Sequence, residues 1–245
     1  MLSTPQIPTD IALAGRLQAV RARIEAAAIA FGRATAGITL LAVSKGQPVQ
    51  RLQAAVALGL TEFGENYVNE AVPKIKALAG HKVRWHFIGR IQANKTRLIT
   101  THFDWVHGID RIAVAQRLSE QRDPQMPPLN VCVQINIMFE QSKGGCAVAS
   151  AAPLLDAILA LPNIRLRGLM CMLPYAASEQ VQHDGFGRMR KLFEQTQRRG
   201  IPLDTLSMGM SDDLEAAVVE GTTLLRIGTA LFGPRPEPPS DLPLP

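Results

Sequence analysis

Ile38-Thr39-Leu40-Leu41-Ala42-Val43-Ser44-Lys45-Gly46-Gln47-Pro48 decides the fold class. From Ile38 to Val43 the residues form a continuous apolar run, the pattern of a strand buried on both faces in a parallel sheet. What comes next separates two architectures. A doubly wound open sheet places a glycine-rich phosphate turn directly after its first strand. Ser44-Lys45-Gly46-Gln47-Pro48 is no such turn. A closed (β/α)8 barrel keeps its phosphate site near the seventh and eighth strands instead.

Outward from this strand the pattern repeats. Further strands are predicted around Thr61–Phe63, Val83–Ile88, Trp105–Val106, Leu129–Ile135, Leu166–Met172, Thr205–Met208 and Thr223–Ile227. Helical periodicity falls between them, near 48–58, 67–79, 92–101, 111–121, 149–160, 179–198 and 212–220. Alternation of this kind predicts a parallel sheet with helices outside, and eight repeats close a barrel. Ahead of the repeat, Ile11, Leu13, Leu17, Val20, Ile24 and Ala27 recur at helical spacing with Thr9 or Asp10 as cap, which predicts an extra N-terminal helix. The fold class is therefore α/β: a single (β/α)8 barrel over 1–233 with a leading helix. Residues 234–245 are crowded with prolines and are expected to be disordered or extended.

At 245 residues, 47% apolar and 19% charged, the chain is long enough for one large core and shows no bias toward disorder. No apolar run approaches the roughly 20 residues that span a bilayer. The N-terminal residues lack the pattern of a secretory signal. Cys132, Cys146 and Cys171 are odd in number and far apart, which points to reduced thiols, a cytoplasmic location and no zinc site. The formal charge of +5 attracts anions. Basic residues gather around Lys82–Arg97 and Arg188–Arg199 and read as solvated helix faces; with 5% aromatics and no binding motif, nucleic acid is not an expected partner.

In a barrel the residues just past each strand share one rim. Here they are Lys45, Gly64-Glu65-Asn66, Gly89 with His86 three residues earlier, Asp110, Asn136, Met172-Leu173-Pro174, Ser207-Met208-Gly209-Met210-Ser211 and Gly228-Thr229. The last two segments pair an apolar run with small or hydroxyl residues where a helix can begin, a setting that suits a phosphate. Lys45, at the mouth of the first strand, is either a surface lysine or an amine set to attack an aldehyde, and spacing alone leaves both open. Arg226 lies in the last strand, where a charge needs a partner; an internal salt bridge and a contact to a bound ring are both open. His86 is expected to face inward while Trp85 and Phe87 pack outside. Asp212 and Asp213 read as helix-opening carboxylates, Glu65 as a base or a partner for a lysine, and no metal site is expected.

Ala42-Val43-Ser44-Lys45, Phe63-Gly64-Glu65-Asn66-Tyr67, Trp85-His86-Phe87-Ile88-Gly89, Gln92-Ala93-Asn94-Lys95, Gln134-Ile135-Asn136, Ser142-Lys143-Gly144-Gly145 and Arg167-Gly168-Leu169-Met170 stand in chain order with the two junctions above. Together, over about positions 10 to 233, they resemble the pyridoxal phosphate homeostasis protein family. That resemblance implies an alanine racemase N-terminal-domain-like barrel holding pyridoxal 5′-phosphate as a reversible Schiff base on Lys45. It implies Ser207, Ser211, Gly228 and Thr229 around the phosphate, Gly209 as a further cofactor-binding position, and Arg226 facing the pyridine nitrogen. Asn66 and His86 become pocket-lining positions, and Lys143 a second lysine near the site. Gly46-Gln47 departs from the Thr-Lys that often follows the Schiff-base lysine, and Ile137-Met138-Phe139-Glu140 is more apolar than the usual loop.

The resemblance implies a protein that buffers the cofactor or passes it to apo enzymes without robust turnover, and a monomer is expected. An arginine opposite the ring nitrogen weakens the electron sink that amino-acid chemistry uses, because guanidinium is donor-only. An amino-acid racemase is the alternative. Racemases add a β-domain bearing a catalytic tyrosine, and Tyr67 and Tyr175 do not fall at rim positions suited to that task. A barrel aldolase using a lysine imine on a sugar phosphate would share Lys45 and the phosphate junctions.

Overall fold

The computed structural model describes residues 10–139 and 144–234. Within them eight parallel strands close in chain order into a barrel. They are β1 Thr39–Val43, β2 Glu62–Glu65, β3 Arg84–Phe87, β4 Trp105–Ile109, β5 Leu129–Gln134, β6 Ile164–Met170, β7 Thr205–Ser207 and β8 Leu224–Ile227. The leading helix is α1, Ile11–Ala30. Between strands come α2 Val49–Ala57, α3 Val68–Ala77, α4 Thr96–His102, α5 Ile112–Gln121, α6 Val148–Leu159, α7 Glu179–Arg198 and α8 Leu214–Val219, and α9 Thr229–Phe232 follows β8. The predicted barrel and its extra helix are both present. The structure differs locally in two places: β4 runs to Ile109 rather than Val106, and α9 is a helix too short for periodicity to reveal. Apart from Pro234, the predicted tail lies outside the described residues.

Burial on two faces explains the apolar strands. Phe63, Trp85, Phe87, Val106, Leu206, Leu225 and Ile227 join the large core between the strands and the helices. A separate cluster of Trp105, Cys132 and Met170 fills the barrel interior. Each fully buried Leu, Phe or Ile contributes about 1.5–3 kcal/mol. The ring closes where Leu41 pairs with Arg226 and Ala42 with Ile227.

Helix α1 lays its buried stripe, Leu13, Leu17, Val20, Ile24 and Ala27, on the closing side of the barrel against α8 and α9. Asp10 caps it, accepting from Leu13 N at 2.9 Å. Beyond its C-terminal end, the Arg33 guanidinium donates to the carbonyls of Val218 and Thr222. The N-terminal helix thus braces the segments that carry the last two rim loops. At the opposite, N-terminal mouth of the barrel lies a cavity of about 350 Å³, lined by Glu62, Arg84, His86, Trp105, Arg167 and Asp204 among others.

Candidate functional site

Since all strands run parallel, their C-terminal ends open on one rim. Strands β1 and β8 are neighbours, so the segments after them begin side by side: a Cβ added at Gly228 would sit 3.4 Å from Val43 Cβ. Lys45 follows two residues later, partly buried, in the same alternation as the inward-facing Leu41 and Val43. It occupies a tight turn in which Gln47 N donates to Ser44 O at 3.0 Å.

The junctions after β7 and β8 form one joined structure. Ser211 Oγ accepts from Ala230 N at 3.1 Å, so the β7 loop caps α9. Arg226 N donates to Gly209 O at 3.0 Å, and Met210 N donates to the Asp213 carboxylate. Thr222 Oγ1, buried between the two strands, lies 2.8 Å from the Met208 carbonyl. The helices that follow are short, six residues in α8 and four in α9. Their dipoles are correspondingly weak, and what the rim offers an anion is local N–H and hydroxyl groups.

Beneath this rim a chain of buried polar side chains threads the barrel. Arg226 Nη1 donates to Ser207 Oγ at 2.8 Å and Nη2 to the Cys171 carbonyl at 2.8 Å. Ser207 Oγ lies 2.9 Å from His107 Nδ1, His107 Nε2 lies 2.9 Å from His86 Nδ1, and His86 Nε2 lies 2.7 Å from Glu62 Oε2. Arg84 also donates to the Glu62 carboxylate, from the N-terminal mouth.

The electrostatics fix the direction of every link. Burial pushes the Glu62 carboxyl up, but hydrogen bonds from His86 and Arg84 outweigh it and hold the group below the usual carboxylate range. Burial lowers His86, and it drives His107 well below the ordinary histidine range with help from His86 and Arg226. With Glu62 ionised and both imidazoles neutral, His86 donates from Nε2 and accepts at Nδ1. His107 in turn donates from Nε2 and accepts at Nδ1, leaving the Ser207 hydroxyl hydrogen for His107 and its lone pair for Arg226. A carboxylate at one mouth thereby orients an arginine close to the other. The rings also pack: His86 stacks on Trp105 with centroids 5.3 Å apart.

The predicted residues divide accordingly. Lys45, Gly209, Ser211, Gly228 and Thr229 sit on the rim. Ser207 and Arg226 point inward, and the Ser207 hydroxyl is engaged by Arg226 and His107 rather than open to the rim. His86 faces inward as expected but lies on β3 with both ring nitrogens used, lining the N-terminal cavity. Asn66 follows β2 at a cleft of about 320 Å³ with Tyr67, Phe87, Arg90 and Lys95, and its Oδ1 is buried without a hydrogen bond. Lys143 lies outside the described residues. Glu65 is paired with Lys74 at 2.8 Å. Arg226 finds a hydroxyl and a carbonyl at hydrogen-bond distance, not the carboxylate of an internal salt bridge.

His107 and Glu62 escaped the sequence reading. A strand predicted to end at Val106 excludes His107; in the structure β4 continues to Ile109, and the spacing of two from Trp105 turns His107 inward.

Residues 16–236 match the alanine racemase N-terminal domain family. The pyridoxal phosphate homeostasis protein of Pseudomonas aeruginosa is 53% identical over 223 residues, covering 91% of this chain and 96% of that one. This chain belongs to the pyridoxal phosphate homeostasis protein family. Among solved structures, PipY of Synechococcus elongatus with PLP bound superposes with a TM-score of 0.79 at 32% identity, over 90% of this chain and all (100%) of that one. An alanine racemase from Clostridium difficile shares the fold at a TM-score of 0.72 and 14% identity, covering 94% of this chain and 60% of that one. PipY thus shares the barrel described above.

Proposed function

We propose that this protein binds pyridoxal 5′-phosphate and serves its homeostasis, holding the cofactor reversibly on Lys45 and buffering it or passing it to apo enzymes. One observation carries the reading. A lysine and a pair of joined hydroxyl- and N–H-bearing loops sit on adjacent strand ends, with a buried arginine just beneath them.

The donor set fits the group. A primary amine suits its aldehyde. Local N–H and hydroxyl groups at Gly209, Ser211, Gly228 and Thr229 suit its phosphate. A permanent cation suits a ring nitrogen that stays an acceptor, and Arg226 is held for that by Ser207 and the Cys171 carbonyl. When bound, the cofactor supplies an electrophilic carbonyl and an electron-accepting ring. Arg226, a donor that holds on to its protons, leaves the ring nitrogen unprotonated and limits the second property. Asn66 and His86 belong to the proposal as a rim residue and a support from below.

PipY with PLP bound and the relatives named as homeostasis proteins support this reading over an amino-acid racemase. So do the chain's two tyrosines. Tyr67 is 66% exposed and Tyr175 91% exposed, so neither phenol is held in the fixed geometry a catalytic base needs. No helix among the described residues is long and apolar enough to cross a membrane. A monomer acting in the cytoplasm completes the proposal, and the buried thiols of Cys132, Cys146 and Cys171 support that compartment.

Spectrophotometric titration of the purified protein with pyridoxal 5′-phosphate tests the binding, and steady-state assays across the amino acids test the absence of robust turnover. Saturable binding without sustained turnover is expected. Turnover of any amino acid at ordinary enzyme rates would replace this reading with the racemase.

A further inference from the structure

Behind Lys45, on the helix side of β1, lies a charged cluster that the cofactor contacts above do not use. Lys74, on α3, is 5% exposed, and Glu65, at the end of β2, is fully buried. Lys74 Nζ donates to Glu65 Oε1 at 2.8 Å and to Glu70 Oε1 at 2.6 Å. A third hydrogen bond, 2.8 Å long, goes to the backbone carbonyl of Ser44. The Ser44 hydroxyl donates to the same Glu65 oxygen at 2.6 Å, and the Gly46 backbone N–H donates to Glu70.

The contacts converge on two residues, Ser44 and Gly46. They are the immediate neighbours of Lys45. The Ser44 carbonyl that Lys74 grips also closes the tight turn to Gln47 N. In that turn Lys45 is the second residue and Gly46 the third. Gly46 has φ +72°, the left-handed conformation that the third residue of a type II turn adopts and that a side chain disfavours. Gly46 is therefore a residue suited to this turn.

Stability alone is a poor account of the cluster. Burying an ion pair costs several kcal/mol per ion and is often matched or bettered by apolar residues of the same volume. Glu65 Oε2 is buried with no hydrogen bond at all, so the arrangement is not optimised as a pair. Burial pushes the Glu65 carboxyl up despite Lys74 beside it. What the cluster delivers is a fixed pivot: the backbone on each side of Lys45 is tied to β2 and α3.

We infer that Lys74, Glu65 and Glu70 are positioning residues for Lys45, clamping the turn through Ser44 and Gly46 so that its amine meets the cofactor aldehyde at bonding distance. This rests on the reading of Lys45 given above. It concerns orientation, and misplacement of a reacting group by about 1 Å can cost about a hundredfold.

The test compares two ligands on the full-length protein. Pyridoxal 5′-phosphate can bond covalently to a lysine; pyridoxamine 5′-phosphate lacks the aldehyde and can only be held by the surrounding contacts. In K74M and E70A the affinity for the first should fall by about tenfold or more, from a lost alignment, while affinity for the second stays within about twofold. E70Q, which keeps the acceptor for Gly46 N–H, should behave as the wild type.

Wild-type capture of pyridoxal 5′-phosphate in K74M and E70A would overturn the inference. So would equal weakening of both ligands, which would make the cluster a general support. Should K74M not fold, E70A decides, because its side chain is 31% exposed and its loss leaves a smaller gap. Failure of the underlying reading looks different: the wild type would not capture the aldehyde, or K45A would capture it equally well, and both proposals would fall.

Discussion

His107 Nδ1 lies 2.9 Å from Ser207 Oγ, joining residues 100 positions apart inside the barrel. Ser207 is thereby turned to offer its lone pair to Arg226, and His107 to offer Nε2–H to His86. Replacing His107 with phenylalanine keeps a ring but leaves the Ser207 hydroxyl hydrogen without its acceptor and His86 Nδ1 without its donor. Each such loss costs about 1–3 kcal/mol. H107F should unfold at clearly lower urea concentration than the wild type and bind pyridoxal 5′-phosphate more weakly, because Arg226 loses its orientation. An unchanged midpoint would show that the chain of hydrogen bonds carries no weight.

The same histidines set a pH dependence. Both are lowered from the ordinary value of 6.5, His107 the more strongly, with burial as the main cause. Below that value the unfolded chain takes up protons that the folded protein refuses. Stability contributed by keeping them neutral is therefore full above 6.5 and is lost as pH falls through 6.5 toward their folded values. Arg226 and Glu62 face the pair from β8 and β2. Urea titrations from about pH 7 to about pH 5.5 should show the wild type losing more stability than H107F, which lacks one of the two groups. Parallel losses would contradict the assignment of neutral histidines.

The thiols should be inert in the folded protein. Burial, the main cause for both, pushes Cys132 up to about 12 and Cys146 up to about 11, and Cys171 is buried as well. The reactive species is the thiolate. A disulfide reagent added to native protein should label almost nothing over minutes, then titrate 3 thiols after unfolding. Rapid modification of native protein would show that the barrel opens readily.

Gly209 has φ +91°, and a Cβ there would come 2.4 Å from Ala217 Cβ and 2.7 Å from Leu225 Cδ2. G209A must push the β7 loop away from α8. About 1–3 kcal/mol of stability should go with it, along with phosphate affinity, since Ser211 rides on the same loop. Thermal unfolding and binding of inorganic phosphate would register the two effects; a wild-type melting temperature would mean that the loop yields without cost.

The alternation of strands and helices was legible because parallel strands are buried on both faces and read as apolar runs, Leu40–Val43 within β1 being the clearest. Lys45 and the two final junctions were legible because they fall where strands stop. The interior chain was not. His107-Gly108 interrupts the apolar run of β4 and looks like a strand end, and Glu62 is a lone charge inside the short run Thr61–Phe63, so neither is marked by pattern although both face a buried partner. Lys74 was hidden for another reason. On α3 it stands four residues after Glu70, the ordinary pattern of a surface pair, and only the fold brings Glu65 and the Ser44 carbonyl against it. Sequence periodicity reports which face is apolar and is silent about polar groups that meet across the barrel.

The most direct measurement is chemical trapping. Reduction of the protein with borohydride in the presence of pyridoxal 5′-phosphate, followed by peptide mass mapping, should place one phosphopyridoxyl group on the peptide containing Lys45, and K45A should lose that label. Equal labelling of scattered surface lysines, or a label that K45A retains in full, would contradict the assignment of Lys45 as the group that holds the cofactor.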